Sequence, residues 1–221
     1  MVIENKLVNV LITARGGSKR LPNKNKNNFC GKPLIVWTIE AAKKSKFVRD
    51  IYVSTDSQEI AEISKINGAS VPRLRSKLLA EDTTSSFDTA MDFVEYFTEN
   101  NSGEMLLLQP TSPLRNNIHI DNMMIQVRNH KSEQCVSVRD ITKLSLLANN
   151  KLNKNDRVYI PNGAIYYSKI NYLKKVKRFF SKGCDTFLMD DFSSIDIDTQ
   201  DEWNIAEACL NKVLSDKEKR F

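Results

Sequence analysis

Apolar residues first gather in LVNVLIT (residues 7–13), a short, β-branched run that ends just before two glycines. Its length and composition predict a buried strand, and residues 16–22 a loop. From Pro33 to about Lys46 the spacing predicts a helix that turns Leu34, Trp37, Ile39, Ala41 and Ala42 inward. DIYVSTD (50–56) reads as a second strand. Asp56, with Glu59 three residues on, predicts a capping box. The helix it starts carries Ile60, Ala61, Ile63 and Ile66, stops at Gly68, and gives way to a short strand over 69–72. Helices are expected over 86–100, 118–130 and 202–214, and strands at EMLLLQ (104–109), QCVSVR (134–139) and GAIYYS (163–168), with FSSIDID extended. Strands alternating with helices of this length predict a mostly parallel sheet with helices on both faces.

The periodicity weakens over residues 144–157, LSLLANNKLNKNDR, which predict loops or a short hairpin. The organisation expected is one domain over 1–221, with a small extension at about 140–162 and a solvated tail over 215–221. No run reaches the roughly 20 apolar residues that span a bilayer, and the N-terminal stretch lacks signal-peptide features, so a cytoplasmic protein is expected. Cys30, Cys135, Cys184 and Cys209 form no CxxC pair. His119 and His130 share one helix-like stretch and are expected to be exposed.

Charge changes the picture more than bulk composition does. The formal net charge is +6 and the isoelectric point about 9.1. Residues 5–39 hold seven Lys or Arg and no acid, whereas Asp185, Asp190, Asp191, Asp196, Asp198 and Asp201 cluster late. A nucleic-acid binder spreads its cations over a face, often among aromatics. Segregated signs argue against nucleic-acid and membrane partners, and are suited to bracketing a small anionic ligand once the chain folds.

LITARGGSKRLPNKNK (11–26) is where the cations concentrate. A strand, a glycine turn, cations and then a helix form a layout suited to phosphate, since Gly16 and Gly17 permit close backbone approach to an anion. Neither GxGxxG nor GxxxxGK[ST] is present, which excludes the common dinucleotide and P-loop fingerprints.

ARGGSKRLPNKN followed by GKPLIVWTIEAA closely resembles the N-terminal signature of the acylneuraminate cytidylyltransferases. IYVSTDSQEIAEISKINGA, LLAEDTTSS, LLLQPTSPLR, NGAIYYS and SIDIDTQDEW continue the resemblance in the family's order. It implies a three-layer, Rossmann-like α/β fold with a small dimerisation extension, a homodimer, and transfer of CMP from CTP to a nine-carbon 2-keto-3-deoxy acid with release of pyrophosphate. By resemblance Arg15 and Lys24 contact phosphates, Asn25 contacts the nucleotide, and Gly16, Gly17, Ser18 and Lys19 complete the cradle. Arg75 and Ser86 match nucleotide-contacting positions, although Ser76 stands where the family has Pro and Ser85 or Ser86 also suits an N-cap. Gln109, at a strand end, and Asn162 match sugar-contacting positions, but Asn162-Gly163 also reads as a turn. Arg115 reads as structural.

In SSIDIDTQDEW, Ile195, Asp196, Ile197 and Asp198 alternate. In extended chain, residues two apart share a face, so both carboxylates point together. Adjacent carboxylates repel unless a cation or proton intervenes. Hard oxygen ligands suit Mg2+, and the resemblance also implies metal ligands at Asp196 and Asp198. Asp198, with Arg15 and Lys24, is thus expected in catalysis, while Asp201 is expected to cap the last helix. Ahead of NGAIY the chain has only NNKLNKNDRVYIP where the family has a longer, Arg-containing stretch. The resemblance therefore reaches the class of acid, nonulosonic, and leaves sialic, legionaminic and pseudaminic acids as alternatives. Two other readings stand beside it: a nucleotidyltransferase for an octulosonic acid or a sugar 1-phosphate, and a basic nucleic-acid-binding module.

Overall fold

The computed structural model describes residues 7–81, 83–97, 103–144 and 156–218. A six-stranded sheet forms its centre. The strands are β1 (Val8–Thr13), β4 (Val48–Ser54), β5 (Glu104–Leu108), β6 (Gln134–Asp140), β7 (Tyr159–Lys169) and β8 (Asp185–Leu188), in the order β4-β1-β5-β7-β6-β8. The β1–β4, β1–β5 and β6–β8 pairs are parallel, and β7 runs antiparallel to both neighbours. A small ribbon, β2 (Asn28–Phe29) with β3 (Lys32–Pro33), is absent from the sequence reading.

Alternation along the strands divides the core. Val10, Ile12, Leu106 and Leu108 face α1 (Leu34–Lys43), α2 (Gln58–Ile66) and α4 (Asn117–His130). Leu11, Met105 and Leu107 face α3 (Ser86–Phe97) and α5 (Ile170–Val176). A third cluster joins Leu21, Phe29, Leu34 and Leu114 to Ile197 and to Trp203, Ala206 and Leu210 of α6 (Gln200–Glu218). That cluster fastens the acid-rich segment beneath the basic loop.

Several local expectations are corrected. Ser57, not Asp56, caps α2, its hydroxyl accepting from the Ile60 N–H at 3.4 Å. At 69–72 there is one bridge, Tyr52 to Ser70, rather than a strand. His119 is half-buried because its Nδ1 accepts from the Asn116 N–H and closes a capping box on α4, while His130 is exposed. Of the two serines suited to an N-cap, Ser85 takes the role as expected, accepting from the Asp88 N–H, and Ser86 begins α3. Thr199 and Glu202 cap α6, in place of Asp201. α6 runs to Glu218, into the stretch expected to be a tail. Asn162-Gly163 is no turn: it lies inside β7, with Gly163 at φ +79°, beside a register shift between Val136 and Val138.

Residues 145–155 of the proposed extension at about 140–162, and residues 219–221, lie outside the described residues. The base of the extension is closed by the Ile141 N–H donating to the Val158 carbonyl at 2.8 Å and the Val158 N–H donating to the Thr142 hydroxyl at 2.9 Å. Among the described residues, no helix is long and apolar enough to cross a membrane.

Candidate active site

β4 and β5 flank β1 on opposite sides, so the chain leaves the centre in both directions and opens a crevice beyond the carboxyl ends of β1 and β5. A cleft of about 550 Å³ lies there. Thr13 and Arg15 enter it from the end of β1, Gln109, Pro110 and Thr111 from the end of β5, and Asp196 and Asp198 from the segment before α6. Ser18, Lys19, Arg20, Lys24 and Asn25 supply its basic wall. The early cations and late acids thus meet across one space.

The two sides are physically laced. Lys24 is buried, and its Nζ donates to the Ile197 carbonyl at 2.5 Å and to Asp198 Oδ1 at 3.0 Å. The Ile197 N–H donates to the Thr111 carbonyl at 2.8 Å. Main-chain groups of one residue are therefore held by both walls, while the Ile197 side chain is fully buried in the third core cluster. Residues 195–198 form no ladder, yet this anchoring turns Asp196 and Asp198 into the cleft as the alternation predicted. The second Asp198 oxygen, Oδ2, accepts from Arg20 at 3.0 Å.

Asp196 sits in the more demanding environment. Burial raises its carboxyl above the usual carboxylate range and Asp198 adds to the rise, while a Thr111 side-chain hydrogen bond opposes it. Its Oδ1 is buried without a hydrogen-bond partner among the described residues. An orphaned buried carboxylate oxygen beside a second carboxylate is a donor set that suits a divalent cation sharing its remaining positions with phosphate oxygens. Gly163 makes the space. A Cβ there would lie 2.9 Å from Gln109 Oε1 and 3.1 Å from Asp196 Oδ2, so these two acceptors converge on the same point of β7.

Of the residues expected from the sequence, Arg15, Ser18, Lys19, Lys24, Asn25, Gln109, Asp196 and Asp198 line the cleft, and Gly16, Gly17, Arg75, Ser86 and Asn162 do not. The Gly16 N–H donates to Asp56 Oδ1 at 2.8 Å, and its missing Cβ admits Ser57 at 3.0 Å: this glycine docks the loop on α2. Arg75 is buried and bound to the Ser54 and Leu79 carbonyls at 2.5 and 3.3 Å. Asn162 accepts from Ser137 at 2.6 Å and donates to Ser194 at 2.8 Å, which ties β7 to β6 and to the segment leading to the acids. Arg115 is buried and, among the described residues, pairs with no carboxylate. Its Nη2 donates to Thr38 Oγ1 at 2.7 Å and to the Gln109 carbonyl at 3.4 Å, which fixes the strand end. Arg157 lies 3.9 Å from Asp140, away from the cleft. Arg20, Thr111 and Gly163 were missed as members of the site. Arg20 stands within the cationic loop and Thr111 directly after Gln109, so both were within reach of the pattern.

An open α/β sheet with a cation-lined crevice at its switch point, faced by a carboxylate pair, is the arrangement of an enzyme that handles a polyanion with its counter-ion. The chain belongs to the cytidylyltransferase family, whose model matches residues 9–219. It is 36% identical over 220 residues to the CMP-N,N'-diacetyllegionaminic acid synthase of Legionella pneumophila, covering 90% of this chain and 94% of that protein. It is 35% identical over 213 residues to the N-acylneuraminate cytidylyltransferase of Escherichia coli, covering 89% of this chain and spanning about half of that longer protein. In fold it is similar to the CMP:2-keto-3-deoxy-manno-octonic acid synthetase solved with CTP, with a TM-score of 0.72, 17% identity, and coverage of 98% of this chain and 100% of that one.

Proposed function

We propose that this protein transfers CMP from CTP to the anomeric hydroxyl of a nonulosonic acid and releases pyrophosphate, with Mg2+ as the divalent cation, in the cytoplasm and as a homodimer. The observation that carries the reading is the lacing of Lys24 and Thr111 onto Ile197, which sets Asp196 and Asp198 opposite the cationic loop. The 36% identity to a legionaminic acid synthase over nearly the full length of both chains supports a nine-carbon acid.

In the proposed reaction the anomeric hydroxyl gives up its proton to solvent, its oxygen bonds to the α-phosphorus, the bond from that phosphorus to the bridging oxygen breaks, and pyrophosphate departs with the negative charge that develops. Arg15, Lys19 and Lys24 lie where fixed cations would stabilise that charge. Asn25 has its Nδ2 committed to the Arg15 carbonyl at 3.0 Å and its Oδ1 buried without a partner, which supports a role in accepting a hydrogen bond from the nucleotide. Gln109 offers an amide, donor and acceptor together, to the hydroxyls of the sugar acid. Asp196 and Asp198 would hold the metal, which when bound neutralises phosphate charge and lowers the pKa of a coordinated hydroxyl. No histidine lines the cleft.

The test is pyrophosphate release from CTP and Mg2+ with sialic, legionaminic and pseudaminic acids, an octulosonic acid and a sugar 1-phosphate offered separately. Release with a nonulosonic acid supports the reading. Release with the octulosonic acid or the sugar phosphate alone would replace it.

A further inference from the structure

The two oxygens of Asp198 are held in different ways. Oδ1 takes Lys24, whose side chain is 8% exposed and is also tied to the Ile197 carbonyl. Oδ2 takes Arg20, whose side chain is 71% exposed on the glycine-bearing loop. The first contact is part of the scaffold. The second is a surface ion pair, a weakly held class of contact that a competing ligand displaces readily. Beside it, Asp196 Oδ1 is buried without a partner, so a cation entering between the carboxylates meets one open oxygen and one occupied by Arg20.

We propose that Arg20 is a transferable phosphate-binding residue: it closes on Asp198 Oδ2 in the free enzyme and passes to the pyrophosphate end of the nucleotide when that oxygen is claimed. The proposal rests on the nucleotidyl-transfer reading, and it adds a residue which that reading does not use. Arg20 lines the same cleft as Arg15 and Lys19, so releasing it from Asp198 puts an additional positive charge within the wall that faces the triphosphate. The guanidinium fork matches paired phosphate oxygens. The exchange has two consequences. In the free enzyme Arg20 competes with the metal for Asp198. In the loaded enzyme it strengthens the hold on the leaving group. Because the cation and the phosphate each remove what the other would have to displace, their binding is cooperative.

The experiment measures binding rather than turnover, on wild type, R20Q, D198N and R20Q/D198N, each checked for folding by circular dichroism. Inorganic pyrophosphate is titrated calorimetrically without metal, and Mn2+ is titrated by electron paramagnetic resonance without nucleotide. R20Q is expected to bind pyrophosphate about tenfold more weakly, the scale of one charge-assisted hydrogen-bonded contact. It is expected to bind Mn2+ about two- to fivefold more tightly, the scale of one exposed ion pair removed. D198N is expected to bind pyrophosphate more tightly than wild type, and that gain is expected to shrink in the R20Q background, because Arg20 is what Asp198 restrains. Wild-type pyrophosphate affinity in R20Q, unchanged or weaker Mn2+ binding in R20Q, or an equal D198N gain in both backgrounds would each overturn the proposal. Failure of the wider reading has a separate signature: wild type that releases no pyrophosphate from CTP with any acid offered.

Discussion

Lys24→Met keeps the aliphatic stem and removes the ammonium that bridges the two walls of the cleft. Two contacts disappear, at 2.5 Å to the Ile197 carbonyl and at 3.0 Å to Asp198 Oδ1. The carbonyl is left without its buried donor, which costs about 1–3 kcal/mol. The carboxylate keeps Arg20 and its side chain is 41% exposed, so its share is discounted to about 1 kcal/mol or less. A loss of about 2–3 kcal/mol in stability is expected, which for a chain of 221 residues lowers the melting temperature by about 5–10 °C. Catalysis should suffer separately, because a fixed cation is gone and Asp198 is freed to move. A loss of about 2–4 kcal/mol in transition-state stabilisation corresponds to a fall in kcat/KM of about 30- to 1000-fold. Urea unfolding and pyrophosphate-release kinetics, run well below the melting transition, measure the two effects independently. A variant that unfolds like wild type and keeps kcat/KM within about twofold would refute the lacing argument.

Three further outcomes follow from the geometry. Gln109→Ala should raise KM for the sugar acid far more than KM for CTP in steady-state kinetics; the reverse pattern would mean that Gln109 faces the nucleotide. Gly163→Ala should cost about 1–2 kcal/mol in urea unfolding, because φ +79° disfavours a Cβ, and it should also lower turnover by pushing Gln109 Oε1 and Asp196 Oδ2 apart; wild-type behaviour in both assays would show that the contacts relax freely. Burial pushes the Cys135 thiol up to about 12, from the ordinary thiol value of about 9. A raised folded-state value means stability present below pH 9 and lost as pH rises from about 9 towards 12, and Cys135→Ala should flatten that decline by up to about 1.4 kcal/mol per pH unit in urea titrations at pH 8–11, whereas an unchanged slope would assign the decline to other groups.

Much of the architecture was legible because the physics is local. LVNVLIT and EMLLL are continuous apolar runs of strand length, and the helices at 34–43 and 117–130 show their spacing plainly. The cationic loop was legible as an acid-free run of Lys and Arg, and the carboxylate pair because alternation along residues 195–198 decides which side chains share a face. What escaped was long-range. Asp56 looked like a helix cap, but its oxygen accepts from Gly16, 40 residues away, and Ser57 takes the cap instead. Asn162-Gly163 looked like a turn, but its hydrogen bonds to Ser137 and Ser194 hold it inside a strand. Each of these residues has a short-range role in sequence that a partner from another element overrides. β8 and α5 were missed because DTFL and INYLKKV are too short to show a period.

The early cations and the late carboxylates are proposed to form one catalytic cleft for CTP and a nonulosonic acid. Its most direct test is continuous pyrophosphate release by purified wild type and Asp198→Asn, with CTP, Mg2+ and the panel of acids. Release by wild type with at least one nonulosonic acid, dependent on Mg2+, is expected, and so is its loss in a folded Asp198→Asn variant. Pyrophosphate release by Asp198→Asn at the wild-type rate and with wild-type Mg2+ dependence would contradict it.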